Sequence, residues 1–176
     1  MRVFIAVELP EALIEALEGV QEGLPGRLVA GDSLHLTLAF LGDLGEARLA
    51  AVHEELAGLR LVAPVLRVTA LDVFGGKRPN LCFASVAPNP ELEAAHRAVA
   101  RACRAAGIEL RRERFRPHVT LARFGRELGA REERQLAGRL GMVPPIEARA
   151  EHFALFRSDL GPSGAQYSVL AQYDFD

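Results

Sequence analysis

The octapeptide HLTLAFLG, His35 to Gly42, comes back as HVTLARFG, His118 to Gly125. With five histidines in the chain and threonine only at positions 37, 69 and 120, chance supplies roughly 0.09 copies of His-x-Thr, and short motifs need that comparison. Both copies read as strands, whose successive side chains point to opposite faces. Strict alternation sets His35, Thr37 and Ala39 on one face and Leu34, Leu36, Leu38 and Phe40 on the other. The second copy sets His118, Thr120 and Ala122 against Val119 and Leu121. One face packs; the other presents an imidazole, a hydroxyl and space. A strand duplicated in this way constrains the chain to two similar halves.

The flanking segments support that division. RVFIAVEL reads as a buried strand, and PEALIEALEGVQEGL as a helix with Pro10 at its start and Leu13, Ile14 and Leu17 on one face. SLHLTLAFLG is a strand, GEARLAAVHEELAGL a helix with Leu49, Val52 and Leu56 inward, and VAPVLRVTALDVF an extended segment. Turn-rich GGKRPN marks a boundary near residues 75 to 80. The pattern then restarts with the strand LCFASVA and a helix capped by Asn89, with Pro90 at its first position and Gly107 past its end. RPHVTLARFG follows as a strand, AREERQLAGRLG as a helix, IEARAEHFALF as one strand, and GPSG as a turn into the last strand, AQYSVLAQYDF.

The expected class is therefore α+β: a bilobal, pseudo-symmetric duplication, each lobe an antiparallel sheet with helices on its outer face, and a central cleft between lobes. A single domain over residues 1–176 is expected, with halves near 1–75 and 80–176 and exchange of terminal strands between lobes left open. A chain of this length buries roughly 70% of its unfolded surface. Its 49% hydrophobic and 25% charged residues make disorder a poor description.

Charge narrows the partners. A net charge of −2 argues against holding long duplexes by bulk electrostatics. Residues 97–139, however, carry 12 Arg against 5 Glu, while residues 1–96 carry 7 basic against 13 acidic side chains. The basic segment contains the second motif, and reads either as a solvated helix face or as a rim that attracts anions. The opening MRVFIAVELP is too short and too soon interrupted for a signal peptide or membrane span, so a cytoplasmic protein with no membrane partner is expected. Cys82 and Cys103 are expected as buried small apolar residues, not a disulfide.

An imidazole titrates near pH 6.5, so two of them can act as acid and base in one turnover, which suits transfer at phosphorus. Threonine hydroxyls are neutral donors suited to the non-bridging oxygens of a phosphodiester. A metal centre fits poorly: there is one good ligand per strand, and no HExxH or His/Cys cluster. His53 and His96 fall in amphipathic helices and are expected on solvated faces; His152 is expected as a partly buried packing residue.

HLTLAFLG and PHVTLARFG resemble the paired signatures of the two-histidine phosphoesterase superfamily, and in particular its bacterial LigT-like branch, the RNA 2',3'-cyclic phosphodiesterases also called 2'-5' RNA ligases. The resemblance extends to the RVFIAVELP opening, to FRPHVTLAR as a unit, and to Ser158–Tyr167, S-x-L-x-x-x-G-x-x-Y. It implies a metal-independent enzyme without cofactors that opens a 2',3'-cyclic phosphate at an RNA end, tRNA fragments among them, to leave a 2'-phosphate. His35 would be the proton donor to the leaving 3' oxygen and His118 the proton acceptor. Thr37 and Thr120 would bind the phosphate, and Arg123 matches a family phosphate ligand. Strict alternation puts Arg123 opposite His118, whereas Arg116 shares its parity. Either a bulge re-aims Arg123 or Arg116 holds the phosphate. A monomer is expected. The competing readings are 2'-5' ligation or hydrolysis of a small cyclic nucleotide phosphate at the same site, and a non-catalytic module that binds RNA ends. The chain has no Trp to stack a base, so that contact is either absent or made by a Phe or Tyr.

Overall fold

Nine strands and four helices carry the alternation read from the sequence, in a computed structural model that describes residues 1–141 and 143–176. In chain order they are β1 (Arg2–Glu8), α1 (Glu11–Gln21), β2 (Arg27–Leu28), β3 (His35–Asp43), α2 (Glu46–Ala57), β4 (Val65–Phe74) and β5 (Leu81–Val86). There follow α3 (Pro90–Ala105), β6 (His118–Arg123), α4 (Ala130–Ala137), β7 (Ile146–Arg149), β8 (His152–Gly161) and β9 (Gly164–Asp174). They form two sheets, ordered β3-β1-β8-β9 and β2-β6-β5-β4-β7, and every pairing is antiparallel.

The two sheets repeat one plan. Strand, helix, motif strand is β1-α1-β3 in one and β5-α3-β6 in the other, with β1 and β5 each inside a sheet beside the motif strand. The third strands are exchanged: β4, from before the turn at Gly75, joins the second sheet, and β8, from the far end of the chain, joins the first. IEARAEHFALF is not one strand but two. The chain passes from β7 to β8 at Ala150, which is buried and whose N–H donates to the Pro64 carbonyl, so the run changes sheets there. The two-residue β2, not anticipated from the sequence, borders β6.

One continuous apolar cluster lies behind both sheets, drawing Val3, Ile5 and Val7 from β1, Leu13 and Leu17 from α1, Val52 and Leu56 from α2, and Leu92 and Val99 from α3. Helix α1 lies against β6 and β7, while α3 lies against β3 and α2, so the helices tie the sheets together. Asn89 caps α3 by accepting from the Leu92 N–H at 2.9 Å, with Pro90 at the first position. Cys82 and Cys103 are free and buried, and burial pushes each thiol up to about 11. No helix among the described residues is long and apolar enough to cross a membrane.

Candidate active site

Motif strands β3 and β6 lie against each other where the sheets meet. Each begins with its histidine half-buried and its following leucine or valine fully buried. His35 Nδ1–H donates to the Ser33 carbonyl at 2.7 Å, and His118 Nδ1–H donates to the Arg116 carbonyl at 2.7 Å. A carbonyl only accepts, so both neutral rings carry their lone pair on Nε2, and both are locked by the carbonyl two residues earlier. The duplication therefore reaches the tautomer. Thr37 and Thr120 follow on the same faces, each half-buried.

Strict alternation fails in both motifs at the same point. Thr37 pairs with Ala6 but Ala39 pairs with Ile5, which leaves Leu38 as an extra residue; Thr120 pairs with Phe83 but Ala122 with Cys82, which leaves Leu121 as one. A bulge puts two successive side chains on one side of the sheet and re-aims those beyond it. Leu38 and Ala39, like Leu121 and Ala122, are consequently all buried in the core. Ala39 and Ala122 thus leave the histidine face to which alternation assigned them. Phe40 and Arg123 cross onto it, because Phe40 stands opposite Phe4 and Arg123 opposite Leu81. Phe40 is 70% exposed there, and its ring centroid is 6.2 Å from that of Phe4.

The second bulge has a buried lock. Gln21, at the end of α1, is the one buried polar side chain among the described residues, 4% exposed. Its Nε2 donates to the Leu121 carbonyl at 2.9 Å and to the Val29 carbonyl at 2.7 Å. Leu121 O also accepts from the Val29 N–H at 2.9 Å. The carbonyl displaced by the bulge is thereby doubly satisfied, as burial requires. Gln21 was not singled out in the sequence; its signal is a lone amide among Leu13, Leu17 and Val20 on the apolar face of a helix.

The two arginines differ in their surroundings. Arg116 is committed: its Nη2 donates to Asp72 Oδ2 at 3.0 Å, and its guanidinium stands 5.1 Å and 5.0 Å from the Phe74 and Phe83 ring centroids. Arg123 has no carboxylate within ion-pair distance among the described residues. Burial holds the His35 ring below the ordinary imidazole range; the Ser33 hydrogen bond opposes this, and the charges of Arg123 and His118 add to it. His118 is lowered first by burial, against the Arg116 carbonyl bond, and further by Arg116 and Arg123. Arg123 thus acts on both rings, and His35 feels His118.

Aromatic rings frame both histidines. His35 lies 4.9 Å from Phe4 and edge-on to Tyr167 at 5.2 Å; His118 lies edge-on to Phe74 at 5.1 Å and 5.2 Å from Phe83. The other three histidines stand apart. His53 is exposed and shares a 2.8 Å hydrogen bond with the Tyr173 hydroxyl. His96 departs from the solvated face expected of it: it is half-buried and stacked on Phe115, centroids 4.0 Å apart, because the chain after α3 folds back over it. His152 is half-buried and pairs with Asp174 at 2.9 Å. Among the described residues, no three His, Cys, Asp or Glu side chains gather as a metal site needs.

Known proteins are similar to this chain along nearly its whole length. An RNA 2',3'-cyclic phosphodiesterase of Thermus thermophilus is 35% identical, covering 98% of this chain and 89% of its own, and one of Methanocaldococcus jannaschii is 27% identical, covering 98% and 100%. A crystal structure of a protein from Thermus thermophilus superposes with a TM-score of 0.81 at 29% identity, covering 99% of this chain and 98% of that one. Escherichia coli LigT complexed with 3'-AMP shares the fold with a TM-score of 0.74 at 23% identity, covering 99% and 96%. The sequence model of the 2'-5' RNA ligase superfamily matches residues 7–162, which include both His-x-Thr strands and both bulges, and this chain belongs to that superfamily.

Proposed function

We propose that the protein hydrolyses a 2',3'-cyclic phosphate at an RNA end to a 2'-phosphomonoester, with His118 as general base and His35 as general acid. The observation that carries this reading is the pair of identically held imidazoles on touching strands, each with Nε2 unengaged by its Nδ1 bond and a threonine beside it. The names of the relatives point to the same substrate.

In the proposed reaction, His118 Nε2 takes a proton from water as its oxygen bonds to phosphorus. The bond from phosphorus to the 3' oxygen breaks, and that oxygen takes the proton held on His35 Nε2. Acid and base contributions of this kind are typically about 10²- to 10⁴-fold each. Thr37 and Thr120 donate to the non-bridging oxygens, and Arg123, with no carboxylate in ion-pair range among the described residues, offsets the charge that builds there. Phe40 presents an exposed ring on which the adjoining base stacks. A monomer remains the expected working unit, since β3 and β6, which carry both histidines, touch within one chain.

The test is an oligonucleotide ending in a 2',3'-cyclic phosphate, incubated with the protein in excess EDTA. The expected product carries its phosphate on the 2' oxygen, and His35→Ala or His118→Ala abolishes its formation. Full activity in both variants, or a 3'-phosphate product, would overturn the assignment.

A further inference from the structure

On the reading that the site opens cyclic phosphates, we infer that Arg27, paired beside Arg123, forms a second phosphate seat, for the phosphoryl group on the 5' oxygen of the terminal nucleotide. The site would then read a continuing strand and not the terminal nucleotide alone.

Strand β2 consists only of Arg27 and Leu28, and it pairs Arg27 directly with Arg123. Direct antiparallel partners share a face, with Cβ atoms about 4.5–5.5 Å apart, and like charges so placed repel. Neither arginine has a carboxylate within ion-pair distance among the described residues, although exposed acidic side chains are abundant in the chain. Two exposed guanidiniums that share the histidine face, with no carboxylate in reach among the described residues, are both available to an anion from outside.

The placement is built from both sides. Gly26 takes φ +85, and a Cβ there would meet the Arg123 carbonyl at 2.7 Å and the Phe124 ring at 2.5 Å, so only glycine lets the chain before β2 approach β6 this closely. The Arg27 side chain then extends to the β8–β9 hairpin of the other sheet. A Cβ on Gly164, where φ is +111, would lie 2.7 Å from Arg27 Nη1. That glycine serves both the turn and the space for the guanidinium. Arg27 thus reaches from one sheet to the other, one strand beyond Arg123. Arg123 in turn stands on the histidine face of β6, opposite Leu81, and its charge helps to lower both rings. A phosphate under attack beside Arg123 leaves the next phosphate of the same strand facing Arg27, and a planar fork of donors matches its oxygens.

The experiment compares kcat/KM for three substrates: adenosine 2',3'-cyclic phosphate, the same nucleotide bearing a 5'-phosphate, and a dinucleotide ending in that cyclic phosphate. The dinucleotide is expected to exceed the simple nucleotide about tenfold at low salt, and the advantage to shrink as salt rises. Arg27→Ala is expected to bring that ratio to within about twofold of unity, with Arg27→Lys recovering part of it. The 5'-phosphorylated nucleotide is expected to match the dinucleotide to within about twofold; if it does no better than the simple nucleotide, the advantage comes from the added nucleoside and the inference fails. Equal kcat/KM for all three substrates, an advantage that survives Arg27→Ala, or a variant that scales all three alike would overturn the inference. Failure of the wild-type protein to turn over any of them would instead overturn the hydrolytic reading on which it rests.

Discussion

Gln21→Met tests whether the bulge at Leu121 is what aims Arg123. The replacement keeps an unbranched side chain of the same length in a site only 4% exposed, and removes two hydrogen bonds, 2.9 Å to Leu121 O and 2.7 Å to Val29 O. Each is worth about 0.5–1.5 kcal/mol net, and Leu121 O keeps its bond from the Val29 N–H, so the loss should be about 2 kcal/mol. For a chain of this size, 1 kcal/mol moves Tm by about 2–4 °C, which sets the expected fall at about 4–8 °C. With one donor gone, the strand can relax toward regular pairing, which turns Arg123 from the histidine face. The kcat/KM for a cyclic-phosphate oligonucleotide should fall about tenfold, since misplacing a charged group by an ångström costs up to about 10²-fold. In an Arg123→Ala background the same change should cost stability but no further activity, because both act through one group. A Tm within about 1 °C of wild type, or additive losses of activity, would refute the reasoning.

The remaining predictions concern charge, protons and the exposed ring. Both imidazoles are held below their ordinary pKa of about 6.5, so kcat/KM measured against pH should peak on the acid side of that value and fall above it, as the donor loses its proton; a plateau from pH 5 to 9 would exclude paired acid and base. Folding stability has the matching sign: with folded pKa values lowered, the unfolded chain binds more protons below pH 6.5, so Tm should drop as pH falls through that region. Arg123→Ala should cost about 10²-fold in kcat/KM, in the range of losing one donor to transition-state charge. Arg116→Ala, whose charge is already committed to Asp72, should cost several-fold less in the same assay. Phe40→Ala should raise KM about fivefold or more with the fold intact, since stacking on an aromatic is worth about 1–3 kcal/mol per base.

Much of the fold was legible because its signals are local. Asn89-Pro90 marks the start of α3, the Leu13/Leu17 and Val52/Leu56 spacings mark the buried faces of α1 and α2, and the repeated His-x-Thr marks the duplication. The exchange of β4 and β8 was not legible, because period-2 patterning says that a segment is a strand and nothing of which sheet receives it. The same limit joined β7 to β8: residues 146–156 alternate without a turn signal, and only the burial of Ala150 between two sheets divides them. At the site, the histidines and threonines sit before the bulges, where alternation holds, so their common faces could be read. Arg123 and Phe40 sit beyond, where one extra residue inverts the assignment.

That inversion also explains how a duplicated framework acquires a direction. Up to Thr37 and Thr120 the two halves are chemically alike, down to the 2.7 Å bond that fixes each Nδ1 proton. The two matching bulges then deliver to the histidine face the first side chains that differ in kind, an aromatic ring from β3 and a guanidinium from β6. Between two equivalent histidines, an RNA end has no reason to choose which oxygen meets the acid and which side meets the base. On the proposed reaction, a ring at one end and a pair of positive charges at the other would remove that degeneracy, with the base drawn to the ring and the phosphate to the charges. On this account Phe40→Arg, which would restore symmetry at the rim, should lower kcat/KM more than Phe40→Ala does. An arginine variant as active as the alanine one would mean that orientation is set elsewhere.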